Sequence, residues 1–145
     1  MPHVRTGIRS ALVAVLTGLT TTGARVHASR MYPKVDTGLP CLLVITNDER
    51  QISEGISRVL ERTLDVAVRA VVKASTSLDA TLDTIIAEVE TAMGAVTTLG
   101  GLIKGLSLTS IAVAYDDESD KPVGVADINY TISYFTLAGS PAAAL

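Results

Sequence analysis

Tryptophan is missing from this 145-residue chain, and four tyrosines and one phenylalanine are its only aromatics. A core with so few rings has to rest on Val, Leu, Ile and Ala, and platforms for stacking nucleic-acid bases are poorly supplied. Cysteine occurs once, at Cys41, which excludes an intramolecular disulfide. Within the apolar run Cys41-Leu42-Leu43-Val44-Ile45 that thiol is expected to be buried and reduced, which suits an intracellular site of folding. His3 and His27 stand alone, without Cys or His at ligand spacing, so neither reads as a metal ligand. No apolar run reaches the roughly 20 residues of a membrane-spanning helix. The stretch from Ala11 to Leu16 behind Arg5 and Arg9 has the outline of a signal-peptide core; Thr17 and Gly18 interrupt it, and it reads instead as a helix of the folded domain.

Acidic residues are absent from the first 35 positions, which hold Arg5, Arg9, Arg25, Arg30 and Lys34, whereas the remainder holds 7 basic and 15 acidic groups. The net charge of −3 argues against a nucleic-acid reader. The lopsided distribution arises either from solvated faces alone or from two unlike faces that meet different partners.

Catalytic signatures are also missing. No Gly-x-Ser-x-Gly occurs, so a nucleophile elbow is excluded. Gly100-Gly101 with Lys104 lacks the phosphate-loop order and precedes a strand rather than a helix, which makes it a flexible link. Asp116-Asp117-Glu118-Ser119-Asp120 is the densest charge cluster, yet it lacks the central Gly of a calcium loop. It reads as a solvated turn, with an electrostatic contact to another subunit as the alternative. An ion pair between Asp127 and a nearby Arg is a further possibility. No cofactor or metal is expected, and the chain does not read as an enzyme.

What is present is regular structure. Ile8, Leu12, Val15, Leu16 and Leu19 recur at helical spacing and predict a helix over residues 4–19. Residues 25–30 predict a short strand, and residues 39–46, apolar on both faces behind Pro40, a central strand. Asn47-Asp48-Glu49-Arg50 then reads as a polar connection. From Leu60 the pattern alternates: Leu60, Leu64, Val66, Val68, Ala70 and Val72 fall on one side, with Glu61, Thr63, Asp65, Arg69 and Lys73 on the other. Thr76 and Asp79 approximate a capping box for a second helix, whose stripe is Leu78, Leu82, Ile85, Ile86, Val89 and Met93, and which Gly94 ends. Residues 106–115 and 124–135 form two long strands, the second with Ala126, Ile128, Tyr130, Ile132 and Tyr134 on one face. The order implies an α+β fold: two helices packed on one face of a mostly antiparallel mixed sheet, with a long C-terminal β-hairpin. Residues 1–138 are expected to form one domain, and residues 139–145 a flexible Ala-rich tail.

With these elements placed, the chain resembles the tail terminator proteins of lambda-like siphophages. Three stretches carry the likeness: Arg9-Ser10-Ala11-Leu12-Val13 in the first helix, Leu39-Pro40-Cys41-Leu42-Leu43-Val44 entering the central strand, and Tyr115-Asp116-Asp117 followed by Ala126-Asp127-Ile128-Asn129-Tyr130-Thr131-Ile132-Ser133-Tyr134. The chain departs by its Ala-rich tail and by a longer polar connection around Glu49 to Gly55. The resemblance implies a virion protein assembled in the host cytoplasm. It forms a homo-hexameric ring at the head-proximal end of the tail, binds the last ring of the tail tube protein, stops polymerisation and meets the head-tail connector or head-closure protein. Such a ring touches no membrane and reads no nucleic-acid sequence, although its lumen can pass DNA. The alternatives are another neck ring, a head-closure or tube-like component, and a small ligand-binding or enzymatic domain. Candidate interface residues are Arg25, Arg30, Asp48, Glu49, Arg50, Asp116, Asp117, Glu118 and Asp120.

Overall fold

A computed structural model describes residues 2–28, 39–54, 58–73, 77–116 and 123–145. Helix α1 (Val4–Leu16) sets Val4, Ile8, Leu12 and Leu16 on one buried line at four-residue spacing. It stops three residues before the periodicity does. The Thr17 hydroxyl donates to Val13 O at 2.6 Å, and Gly18 and Gly23, both at positive φ, close a tight loop through Gly18 N–H to Gly23 O and Gly23 N–H to Leu19 O. Strand β1 (Val26–His27) is only two residues long.

Strands β2 (Cys41–Glu54), β3 (Val59–Lys73), β4 (Gly105–Asp116) and β5 (Val123–Leu137) make up the rest of a five-stranded sheet, in the order β1-β2-β3-β5-β4. All pairs are antiparallel except β1 with β2. The fold is therefore α+β, as its element order implied. Asn47-Asp48-Glu49-Arg50 is not a connection: β2 runs straight through it, and a β-bulge between Thr46 and Glu49 absorbs one extra residue opposite Asp65. A second bulge interrupts β4 between Leu108 and Ser110. The two lie at neighbouring levels of the sheet, on either side of the paired Val66 and Tyr130.

Helix α2 (Leu78–Gly94) buries Leu82, Ile85, Ile86, Val89 and Met93 against the same sheet face as α1. Its N-cap, Ser77, makes no side-chain capping bond, and Thr76 of the expected capping box lies outside the described residues. Leu64, Val66, Val68, Ala70 and Val72 of β3 and the even-numbered residues from Ala126 to Tyr134 of β5 form the core beneath the helices. A smaller cluster of Cys41, Leu43, Ile45, Ala67 and Val71 sits on the opposite face. Residues 139–145 follow the end of β5: Pro141 O accepts from Val4 N–H at 2.8 Å, Leu145 N–H donates to Phe135 O at 2.9 Å, and Ala144 packs on the core.

Gly124 sits where α2 crosses β5. A Cβ there would stand 2.8 Å from Leu82 Cδ1 and 3.2 Å from Leu78 Cδ1, and Leu82 is buried with little room to move. Gly124→Ala is expected to lower stability by about 1–3 kcal/mol through overpacking. A thermal melt reads the loss, and an unchanged melting temperature would show that α2 sits further from the sheet.

Candidate assembly surface

One end of the core face carries charge. The β2 bulge shifts the alternation by one, so Glu49, rather than Asp48, turns under α1, beside Arg62 of β3 and Tyr134 of β5. Arg62 Nη1 donates to Glu49 Oε2 at 3.0 Å, with the two side chains only 9% and 5% exposed. Arg62 Nε donates to Thr136 Oγ1 at 2.9 Å, Gln51 Nε2 to Glu49 Oε2 at 2.7 Å, and the Tyr134 hydroxyl to Glu49 Oε1. Arg62 Nη1 also lies 3.3 Å from His3 Nε2, and His3 caps α1 by accepting from Arg5 N–H. Burial alone would raise the Glu49 carboxyl. The bonds from Tyr134 and Gln51 and the Arg62 charge outweigh burial and hold it below its ordinary value. Burial, then the charges of Arg5 and Arg62, lower His3.

Of the other expected interface residues, Arg25 is turned inward, donating to Pro40 O at 2.8 Å and Thr21 O at 3.0 Å. Arg50 pairs with Asp65 on the open sheet face at 3.1 Å, exposed to solvent. Asp48 lies at the bulge and lines a polar cleft with Asn47, Asp65, Thr109, Asn129 and Thr131. Asp116 ends β4, its backbone paired with Val123. Arg30, Asp117, Glu118 and Asp120 lie outside the described residues. Asp127 has its arginine: Arg69 grips it through two bonds of 2.7 and 3.1 Å.

The sheet edge formed by β4 is a different surface. Residues 107–115 are all exposed, including Leu108 at 44%, Ile111 at 39%, Val113 at 44% and Tyr115 at 53%. These four point to the helix side of the sheet, through their pairing with Tyr130, Ile128, Ala126 and Gly124, but lie beyond the cover of α2. Residues 105–115 contain no charge and no proline, two of the usual safeguards of a free edge; the bulge after Leu108 is the one that β4 carries. Alongside runs the acidic flank of α2. Asp79 accepts from the Tyr115 hydroxyl, Asp83 adds its charge at the same ring, and Glu90 lines a groove with Leu106, Leu108 and Tyr130. Burial and then the Glu90 charge push the Tyr130 hydroxyl up to about 12.

A family model described as phage minor tail protein U matches residues 3–134. This chain belongs to that family. Among solved structures, it is similar to a chain described as "Virion of native gene transfer agent (GTA) particle", with a TM-score of 0.51, 15% identity and 90% of each chain covered. At that identity the likeness shows the fold. No curated protein matches the chain in sequence. As a member of the minor tail protein U family, the chain is a structural component of a phage tail and interacts with other virion proteins. No helix among the described residues is long and apolar enough to cross a membrane, and no cluster of three or more His, Cys, Asp or Glu among them could hold a metal. For this family member, the exposed β4 edge and the buried Arg62 are the features that sequence reasoning missed. An apolar run does not announce whether a neighbour covers it. Arg62 does leave a signal, as a lone base on the apolar side of the β3 alternation.

Proposed function

We propose that this minor tail protein is the tail terminator: a homo-hexameric ring that caps the tail tube, ends its polymerisation and offers its opposite face to the head connector. It acts as an assembly part rather than as an enzyme. The observation that carries this reading is the uncovered β4 edge. Monomeric soluble proteins rarely leave a long, uncharged strand with several exposed apolar side chains open, because such a strand recruits others. In a tail protein that recruitment has a use, since a ring requires a self-recognising surface on every copy. The hexameric count and the terminator role follow the resemblance of the first helix, the Pro40 strand entry and the β5 pattern to terminators of lambda-like phages.

Purified protein mixed with polymerising tail tube subunits is expected to give tubes of limited length with one extra ring at an end, seen by negative-stain electron microscopy. Tubes that grow as long as in its absence would count against the terminator role. Binding to the portal side instead of the tube end would favour a head-closure ring.

A further inference from the structure

We propose that copies of this chain join head to tail: the free edge of β4 pairs with residues 48–53 of β2 in the next copy, and the acidic flank of α2 lies against the basic flank of that copy's α1. This inference rests on the ring reading above and adds the surface that closes the ring.

The sheet has two unlike edges. On one side, β4 is the outermost of the described strands along its whole length. On the other, β1 covers β2 only at Leu42 and Leu43. Along residues 48–53 no strand among the described residues pairs with the outer side of β2, and Ile52 there is 60% exposed. Strands β2, β3, β5 and β4 alternate in direction. Extending the sheet in the same sense brings β4 antiparallel to the next β2, so the ladder continues without a reversal.

Charge decides between this joint and a two-fold one. Helix α1 contains Arg5 and Arg9 and no acid. Both lie on its β2 side: Arg9 Nη1 donates to Thr46 Oγ1 at 2.9 Å, and the Arg5 charge acts on Glu49. Helix α2 contains four acids and no base. Glu88 is turned toward the loop after α1, where it accepts from Thr21, while Asp79, Asp83 and Glu90 flank β4. Pairing β4 with a second β4 would set two acidic flanks against each other, and pairing β2 with a second β2 would oppose two basic ones. Only the head-to-tail joint sets acid against base. Helix α2 sits over β3 and β5 and α1 over β2, which puts the two helices roughly two and a half strand spacings, about 12 Å, apart across the joint. Arginine and carboxylate side chains reach across that gap, and their stems would roof Leu108, Ile111 and Val113. The uneven charge along the sequence thus becomes the two halves of one contact.

The test uses the full-length protein with Leu108→Cys in one preparation and Ser53→Cys in another, joined by a short bismaleimide; both positions face the helix side of the sheet, and they fall opposite each other when residues 48–53 are centred on β4. Cys41 is fully buried, and burial raises its thiol to about 11, so it stays silent. The mixture is expected to yield covalent dimers at least several-fold above either variant alone. Leu108→Cys protein that crosslinks to itself as well as to its counterpart would overturn the proposal in favour of a two-fold joint. Rings visible by electron microscopy without mixed crosslinks would overturn it and leave the terminator reading standing. Mixed crosslinks in open filaments that ignore tube ends would support the joint and sink the terminator reading, and the absence of both rings and crosslinks would sink both. In parallel, Asp83→Arg and Arg9→Glu are each expected to block association while keeping wild-type circular dichroism, and their mixture to restore it. Failure of the folded mixture to associate would also overturn the proposal.

Discussion

Leu64→Asp is expected to leave no stably folded protein at 25 °C. Leu64 is fully buried on the core face of β3, paired with Glu49 on one side and Ile132 on the other. Truncating such a leucine to Ala alone costs about 2–5 kcal/mol. An aspartate adds the desolvation of a carboxylate with no cation reserved for it, because Arg62 is already committed to Glu49. The sum, several kcal/mol beyond the truncation, is on the order of the whole 5–15 kcal/mol margin of a domain. Thr63→Asp supplies the control, since Thr63 points to the other, partly exposed face. Urea titration followed by circular dichroism should show a cooperative transition for Thr63→Asp and none for Leu64→Asp. A soluble Leu64→Asp protein with a wild-type midpoint would mean that the register of β3 is wrong.

That register was readable in the sequence because a strand covered on one face writes its period directly: Leu64, Val66, Val68 and Ala70 against Thr63, Asp65 and Arg69. The stripe of α2 from Leu82 to Met93 and the faces of β5 were legible for the same reason. The course of β2 was not. Asn47-Asp48-Glu49-Arg50 has the composition of a loop, and only pairing with residues 62–66 far along the chain makes it strand. The bulge then reverses which residues face inward, so no local rule could have moved Glu49 from a presumed surface contact into a buried one. Strand β4 poses the opposite difficulty. Its residues have ordinary strand chemistry, and its exposure follows from its place at the end of the sheet order, which is a property of the whole topology. Cys41 is buried, as its apolar run implied.

Arg62→Ala should destabilise the protein by about 3–5 kcal/mol, the range for breaking a buried ion pair by removing one partner. The pair joins β2 and β3, and its bonds to Thr136, Tyr134 and the His3 side draw in β5 and the start of α1. Without the guanidinium, the Glu49 carboxylate is left with the Tyr134 and Gln51 donors among the described residues, in a buried setting. The double variant Glu49→Leu with Arg62→Met removes both charges and is expected to recover most of the loss, since an apolar pair of similar bulk leaves nothing uncompensated. The pH response follows from the same carboxyl. Because Glu49 is held below its ordinary value in the folded state, its contribution is complete above the unfolded carboxylate pKa of about 4.3 and disappears as pH falls through the lower folded value. Urea midpoints measured from pH 7 down to acid should therefore decline for the wild type. They should decline less for Glu49→Gln, which has no proton to take up. Parallel decline of the two would place the acid sensitivity in other carboxylates and show that the Glu49 and Arg62 contact is weaker than its geometry indicates.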